Sequence, residues 1–99
     1  MMVKICGITC AEDALAAAEA GASALGFNFW PGSPRYITPG RAAEIVAALP
    51  AGVSAVGVFV NESAPRIREM ALQAGVAIVQ LHGDCEWPAS LPVWKALSV

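Results

Sequence analysis

The sequence predicts an α/β fold in which four βα units and a fifth strand build one parallel sheet. Three observations carry this reading. Short runs rich in β-branched and aromatic residues alternate with alanine-rich stretches at the spacing of a strand followed by a helix. The strand runs are apolar almost throughout, as in parallel sheets whose faces are both covered. Glycine, proline, serine and threonine stand where such elements would begin and end. The first strand is Val3 to Cys6, bounded by Gly7, with Thr9 placed to cap a helix from about Ala11 to Ala20 that closes on Gly21. Within that helix Ala14, Leu15, Ala18 and Ala22 keep helical spacing. Ala24 to Phe29 is the second strand, followed by a loop through Arg35 and Tyr36, and Thr38-Pro39 opens a helix running to about Leu49. Val53 to Val60 is the third strand. Ser63, with Pro65 close behind, starts a helix that ends at Gly75. Val76 to Leu81 is the fourth strand and Val93 to Leu97 the fifth, joined by a stretch too short for a full helix.

A chain of 99 residues holds a single domain, at about 100 to 200 residues per domain. Apolar residues make up 57% and charged residues 14%, against about 45 to 50% and about 25% in ordinary globular domains, which excludes disorder. No apolar run approaches the roughly 18 residues of a membrane span. A formal charge of −2 supplies no basic field to hold nucleic acid. The three cysteines, Cys6, Cys10 and Cys85, are odd in number, and their spacing with the single histidine, His82, suits neither a disulfide framework nor a structural zinc site. The start of the chain lacks the apolar stretch of a secretory signal, so a cytoplasmic setting is expected.

Two architectures fit these elements. A flavodoxin-like open sheet of five strands suits the length best, whereas a (βα)₈ barrel takes about 200 to 250 residues and only half of one could be present. Side chains alternate along a strand, so Lys4 and Cys6 share one face, as do Gly26 and Asn28, and Gln80 and His82. Lys95 adds a further polar residue on the fifth strand. Looking inward in a barrel, Cys6, Asn28, Gln80 and His82 would converge at the carboxyl ends of the strands, where the active sites of such folds lie. In an open sheet, Lys4, Gln80 and Lys95 would be buried under helices at a cost of about several kcal/mol unless each found a partner. Cys6 stands at a strand end, beside a glycine that admits close approach to the backbone and on the face that carries the Lys4 ammonium. Taken singly, a buried cysteine is most often an inert small hydrophobe, and Gln80 with His82 could equally be a satisfied core pair. Arg35 is either a solvated loop charge or, in a loop stiffened by Pro31, Gly32 and Pro34, a bidentate grip on a carboxylate. The tryptophans Trp30, Trp87 and Trp94 read as packing.

The run Lys4-Ile5-Cys6-Gly7-Ile8-Thr9, then Glu12-Asp13-Ala14, Gly21-Ala22 and Leu25-Gly26-Phe27, closely resembles the opening of the phosphoribosylanthranilate isomerase family. Ser33-Pro34-Arg35-Tyr36-Ile37, Gly57-Val58-Phe59-Val60-Asn61, Val79-Gln80-Leu81-His82-Gly83-Asp84 and Leu91-Pro92-Val93-Trp94-Lys95-Ala96 continue the resemblance in order. It spans the chain but only the first half of the family's barrel, so the resemblance implies a partial (βα)₈ barrel, residues 1–99 forming its amino-terminal half. It also implies an Amadori rearrangement of N-(5′-phosphoribosyl)anthranilate in tryptophan biosynthesis, with no metal or organic cofactor. The family's catalytic base maps onto Cys6, its carboxylate-binding arginine onto Arg35, and two substrate-pocket positions onto Gln80 and His82. The general acid, an aspartate at the end of the sixth strand, and the phosphate loops after strands seven and eight belong to the other half. The 99-residue chain alone is therefore expected to show little isomerase activity. A competing reading is a non-catalytic half-barrel or flavodoxin-like binding module that self-associates through its open side. A sister phosphosugar barrel, an epimerase or an indole-forming synthase, leaves the cysteine and the Arg35 loop without a task.

Overall fold

The computed structural model describes residues 3–83 and the backbone of residues 93–95. The elements run β1 (Lys4–Cys6), α1 (Ala11–Glu19), β2 (Ala24–Asn28), α2 (Pro39–Ala47), β3 (Ser54–Val60), α3 (Ala64–Ala74), β4 (Ile78–His82) and β5 (Val93–Lys95). The expected shortened connection between β4 and β5, together with Cys85 and Trp87, lies outside the described residues. All five strands pair in parallel, in the order β1-β2-β3-β4-β5. That order decides between the two architectures. A flavodoxin-like sheet places its first strand between the second and third; here each strand lies beside its successor, as in a barrel whose strands follow one another around the wall. The half-barrel expected from the resemblance is borne out, and the open sheet that length alone favours is set aside.

The two faces of the sheet differ in what covers them. Leu25, Phe27, Phe29, Phe59, Val79 and Leu81 pack beneath the helices against Ala17, Ile45 and Ile67. The Phe29 and Phe59 rings lie 5.3 Å apart in a tilted pair, a favourable aromatic arrangement. Burial of this layer supplies most of the driving force for the half-barrel, at about 25 cal/mol per Å² of apolar surface. On the other face Ala24, Val56 and Val58 are buried, Lys4 is half-buried in the row of Ala24, Cys6 is exposed one row up, and Asn28, Gln80 and His82 are half-buried toward the carboxyl ends. The inner face is therefore apolar at its centre, with polar side chains gathered at the carboxyl ends and Lys4 at the foot of β1.

Helix boundaries follow local chemistry with two corrections. Thr38 caps α2, its Oγ1 accepting from the Arg41 amide at 3.2 Å, with Pro39 at the first position. Gly75 ends α3 at φ +78°, the left-handed conformation glycine adopts without penalty. Thr9 does not cap α1: the N-cap is Cys10, with no side-chain hydrogen bond. The preceding Ile8 is buried, and its amide shares the Gly26 carbonyl with the Gly7 amide, which holds this stretch as loop for one residue longer. Ser63 occupies the N-cap of α3 but forms no capping hydrogen bond; its own amide donates to Glu62 Oε1 at 3.1 Å. On α1, Ala14 and Ala17 face the core, whereas Leu15 is 45% exposed. Exposed apolar residues recur at the sheet edge, at Val3 just before β1 and at Ile5 on it. No helix among the described residues is long and apolar enough to cross a membrane.

Candidate active site

The register of the strands places the site residues on one face. Cys6 is in register with Gly26, Gly26 with Val56, and Val56 with Ile78; one row higher, Asn28 pairs with Val58 and Val58 with Gln80. His82 pairs with Val60 in the row above that. Neighbouring residues in such rows point to the same side of a sheet. The thiol confirms this: Cys6 Sγ lies 3.1 Å, and Lys4 Cε 3.4 Å, from the point a Cβ on Gly26 would occupy. Gly26 is thus the floor on which the sulfur and the lysine stem rest. The sulfur is on the face opposite the helix-covered core. On β5 the register partner of Lys95 is Leu81, and that of Trp94 is Gln80.

Arg35 reaches the same corner from the loop after β2. Its Cδ lies against Gly7, and Nη1 and Nε stand 2.9 and 3.4 Å from where a Gly7 Cβ would be. Gly7 adopts φ +83°, a conformation that already favours glycine, and its missing side chain is replaced by the arginine stem. The space beside Cys6 that the sequence reserves for a ligand is accordingly filled by Arg35. The loop is tightly folded: the Ser33 amide donates to the Trp30 carbonyl at 3.0 Å, the Tyr36 amide to the Ser33 carbonyl at 3.2 Å, and the Arg35 amide to Ser33 Oγ at 3.1 Å. Trp30 is 43% exposed, with its indole laid over Gly32; it packs on its own loop, not in the core. Arg35 makes no ion pair among the described residues. The two ion pairs recorded there, Arg41 with Glu44 and Arg66 with Glu69, lie on exposed helix surface, where such pairs contribute about 0 to 1 kcal/mol. The guanidinium is therefore available to an external carboxylate.

Gln80 and His82 form a pair of their own, Gln80 Nε2 to His82 Nε2 at 3.2 Å. The His82 carbonyl accepts from the Asn61 amide at 3.1 Å, and Asn61 takes a left-handed φ of +48° at the end of β3. The structure thus places Cys6 and the Gln80–His82 pair on one face, with the Arg35 side chain against Gly7, the residue after Cys6. They stand three strands apart, about 14 Å along the curved sheet at about 4.8 Å per strand, a span that one elongated ligand bridges. Asn28 sits between them in register, but its Oδ1 accepts from the Trp30 amide at 2.9 Å. It is spent on the loop, not held for the pocket. Gly26 is the position that the sequence reading left without a role: its missing side chain makes room for the Cys6 sulfur and the Lys4 stem. A separate hollow of about 330 Å³, lined by Val46, Leu49, Val53 and Ala77 among others, opens at the amino ends of β3 and β4, opposite the polar clusters.

The family model of N-(5′-phosphoribosyl)anthranilate (PRA) isomerase matches residues 3–99. The chain belongs to this family. It is 50% identical over 102 residues to the N-(5′-phosphoribosyl)anthranilate isomerase of Solibacter usitatus, covering 100% of this chain and 50% of that one. Among solved structures, it matches the phosphoribosylanthranilate isomerase of Thermus thermophilus with a TM-score of 0.92 and 42% identity, over 100% of this chain and 52% of that one. A further phosphoribosylanthranilate isomerase, 46% identical, has been solved in complex with reduced 1-(o-carboxyphenylamino)-1-deoxyribulose 5-phosphate, with a TM-score of 0.90 over 100% of this chain and 54% of that one. The dimeric isomerase from Thermotoga maritima, also 46% identical, has been solved as monomers generated from it, with a TM-score of 0.90 over 100% of this chain and 53% of that one. The chain spans about half the length of these isomerases. Its five strands are consecutive strands of the isomerase barrel, which agrees with the sequential strand order found here.

Proposed function

We propose that this chain supplies the amino-terminal half of an active site that converts N-(5′-phosphoribosyl)anthranilate to 1-(2-carboxyphenylamino)-1-deoxyribulose 5-phosphate in tryptophan biosynthesis. The observation that carries the reading is the placement of the Cys6 thiol and the Arg35 guanidinium on adjoining backbone at the open end of the inner face. Arg35 would hold the anthranilate carboxylate through parallel N–H···O bonds, which fix the plane of the aromatic ring. A general acid in the remaining half protonates the ribosyl ring oxygen; the bond from the anomeric carbon to that oxygen breaks, and the nitrogen lone pair forms the iminium. Cys6 then takes the proton from the adjacent carbon. The released C–H electron pair becomes the carbon–carbon double bond of an enolamine, and the iminium π pair returns to nitrogen. Tautomerisation gives the ketone. Gln80 and His82, on the same face, line the far side of the substrate. The phosphate would be held by the loops of the other half, where backbone amides and helix N-termini suit an anion. The family's metabolic role suits a cytoplasmic setting.

The division of labour is testable by completing the barrel. The chain joined to the carboxyl half of the Solibacter usitatus isomerase is expected to restore growth without tryptophan to cells lacking the isomerase, while the 99-residue chain alone is not. Failure of every completed barrel that folds, or full activity of the chain alone, would overturn the reading. A second expectation concerns assembly. β1 offers an edge with exposed Val3 and Ile5, the kind of surface that pairs with another chain. Sedimentation of the chain by itself should show association that rises with concentration and is lost once the barrel is completed; a monomer at high concentration contradicts it.

A further inference from the structure

We infer that Asn28 is a positioning residue: it clasps both ends of the Arg35 loop and thereby sets the guanidinium over Gly7, next to Cys6. At the entrance of the loop its Oδ1 accepts from the Trp30 amide at 2.9 Å; at the exit its backbone carbonyl accepts from the Ile37 amide at 2.9 Å. Asn28 also forms an isolated parallel bridge with Tyr36, the residue that follows Arg35. One residue therefore fixes the separation of the two points from which the loop is hung. Within that span the Ser33 hydroxyl and two backbone hydrogen bonds define the turn, and the Trp30 indole closes over Gly32, where a Cβ would sit 2.6 Å from Cζ2. The backbone half of the clasp is open to any residue, but the side-chain half needs a short acceptor that can reach the amide two positions on, which is the asparagine and aspartate turn geometry.

The consequence for Arg35 is geometric. A long, flexible side chain loses much rotamer freedom when it is held to one place, and this one is directed across Gly7 by the backbone on which it stands. Without the Oδ1 bond the loop loses one of its two anchors, and the arginine stem samples positions off the glycine. The inference deepens the reading of Arg35 as the carboxylate grip and rests on that reading for its functional meaning.

The test uses the 99-residue chain, isotopically labelled, with Asn28→Ala and Asn28→Asp variants. Asn28→Asp keeps the acceptor; Asn28→Ala removes it. Proton–proton contacts between Arg35 Hδ and Gly7 Hα are measured without ligand, and the Arg35 Nε–H resonance is followed while anthranilate is added. The Arg35–Gly7 contact should be present in the parent chain, lost in Asn28→Ala and retained in Asn28→Asp, with the Leu25, Phe27 and Phe59 core signals unchanged in all three. Anthranilate binding should weaken about fivefold in Asn28→Ala, the effect of one hydrogen bond, and recover in Asn28→Asp. Persistence of the contact in Asn28→Ala overturns the inference, as does its loss in both variants alike. If anthranilate leaves Arg35 unmoved in the parent chain while the contact still follows the Oδ1 acceptor, the positioning stands and the carboxylate reading of Arg35 fails. Should Asn28→Ala not fold, Gly32→Ala, which forces the indole off the loop, must break the same contact while Asn28→Asp keeps it.

Discussion

Replacing Cys6 by alanine in the completed barrel should lower kcat by about 10²- to 10⁴-fold, the range for loss of a positioned general base. The Michaelis constant should change little. Cys6 makes no contribution to the helix-covered core, and the register that places it over Gly26 is held by backbone bonds of β1 and β2 that do not involve the side chain. Stability should accordingly be near that of the parent, so the loss reads as chemistry. Cys6→Ser is informative because the volume is nearly kept while the thiol is replaced by a hydroxyl that holds its proton far more strongly. It should be almost as slow as the alanine variant. A serine variant with a tenth or more of the parent rate would mean that the side chain fills space without taking the proton.

Arg35→Ala should act differently, mainly through binding. Loss of a charge-assisted hydrogen bond to a carboxylate costs about 1.5 to 3 kcal/mol, or about 10- to 150-fold in kcat/KM, and most of it should appear as a raised KM. Arg35→Lys should recover little, because an ammonium cannot present two parallel donors in a plane. The comparison that isolates the carboxylate is a substrate whose anthranilate ring lacks it: the parent and Arg35→Ala should then turn over at similar rates. Parent activity that does not depend on the carboxylate would show that Arg35 has another role. Because Arg35 is exposed and makes no ion pair among the described residues, neither variant should lower stability by more than about 0.5 kcal/mol, as is usual for surface substitutions.

Much of the fold was legible in the sequence because its signals are local. Thr38-Pro39 and Gly75 mark helix ends through their own backbone preferences, and the apolar runs around Leu25, Val56 and Val79 announce buried parallel strands. Alternation along a strand is equally local, so the pairing of Cys6 with Lys4, Gly26 with Asn28 and Gln80 with His82 could be read directly, whereas their common face follows from the register. Strand order could not. Every βα unit here has the same local pattern whether its neighbour in space is the next strand or another, and length alone favoured the open sheet. The role of Asn28 was hidden for a similar reason: a polar residue at a strand end serves a pocket or a loop, and only the fold of residues 29–36 shows that its oxygen turns to Trp30. Gly7 was read as room for a ligand, and the room is there, but the side chain that takes it comes from residue 35. Thr9 and Ser63 show the same limit at helix starts, where the burial of Ile8 and the Glu62 carboxylate intervene.

The most direct trial of the account is alkylation of the completed barrel with iodoacetamide, with modified sites mapped by mass spectrometry as activity falls. Inactivation should track carboxamidomethylation of Cys6 one for one and should slow when reduced 1-(o-carboxyphenylamino)-1-deoxyribulose 5-phosphate, the ligand of a solved isomerase complex, is present. A barrel that keeps its full rate with Cys6 stoichiometrically modified would contradict the assignment of the base.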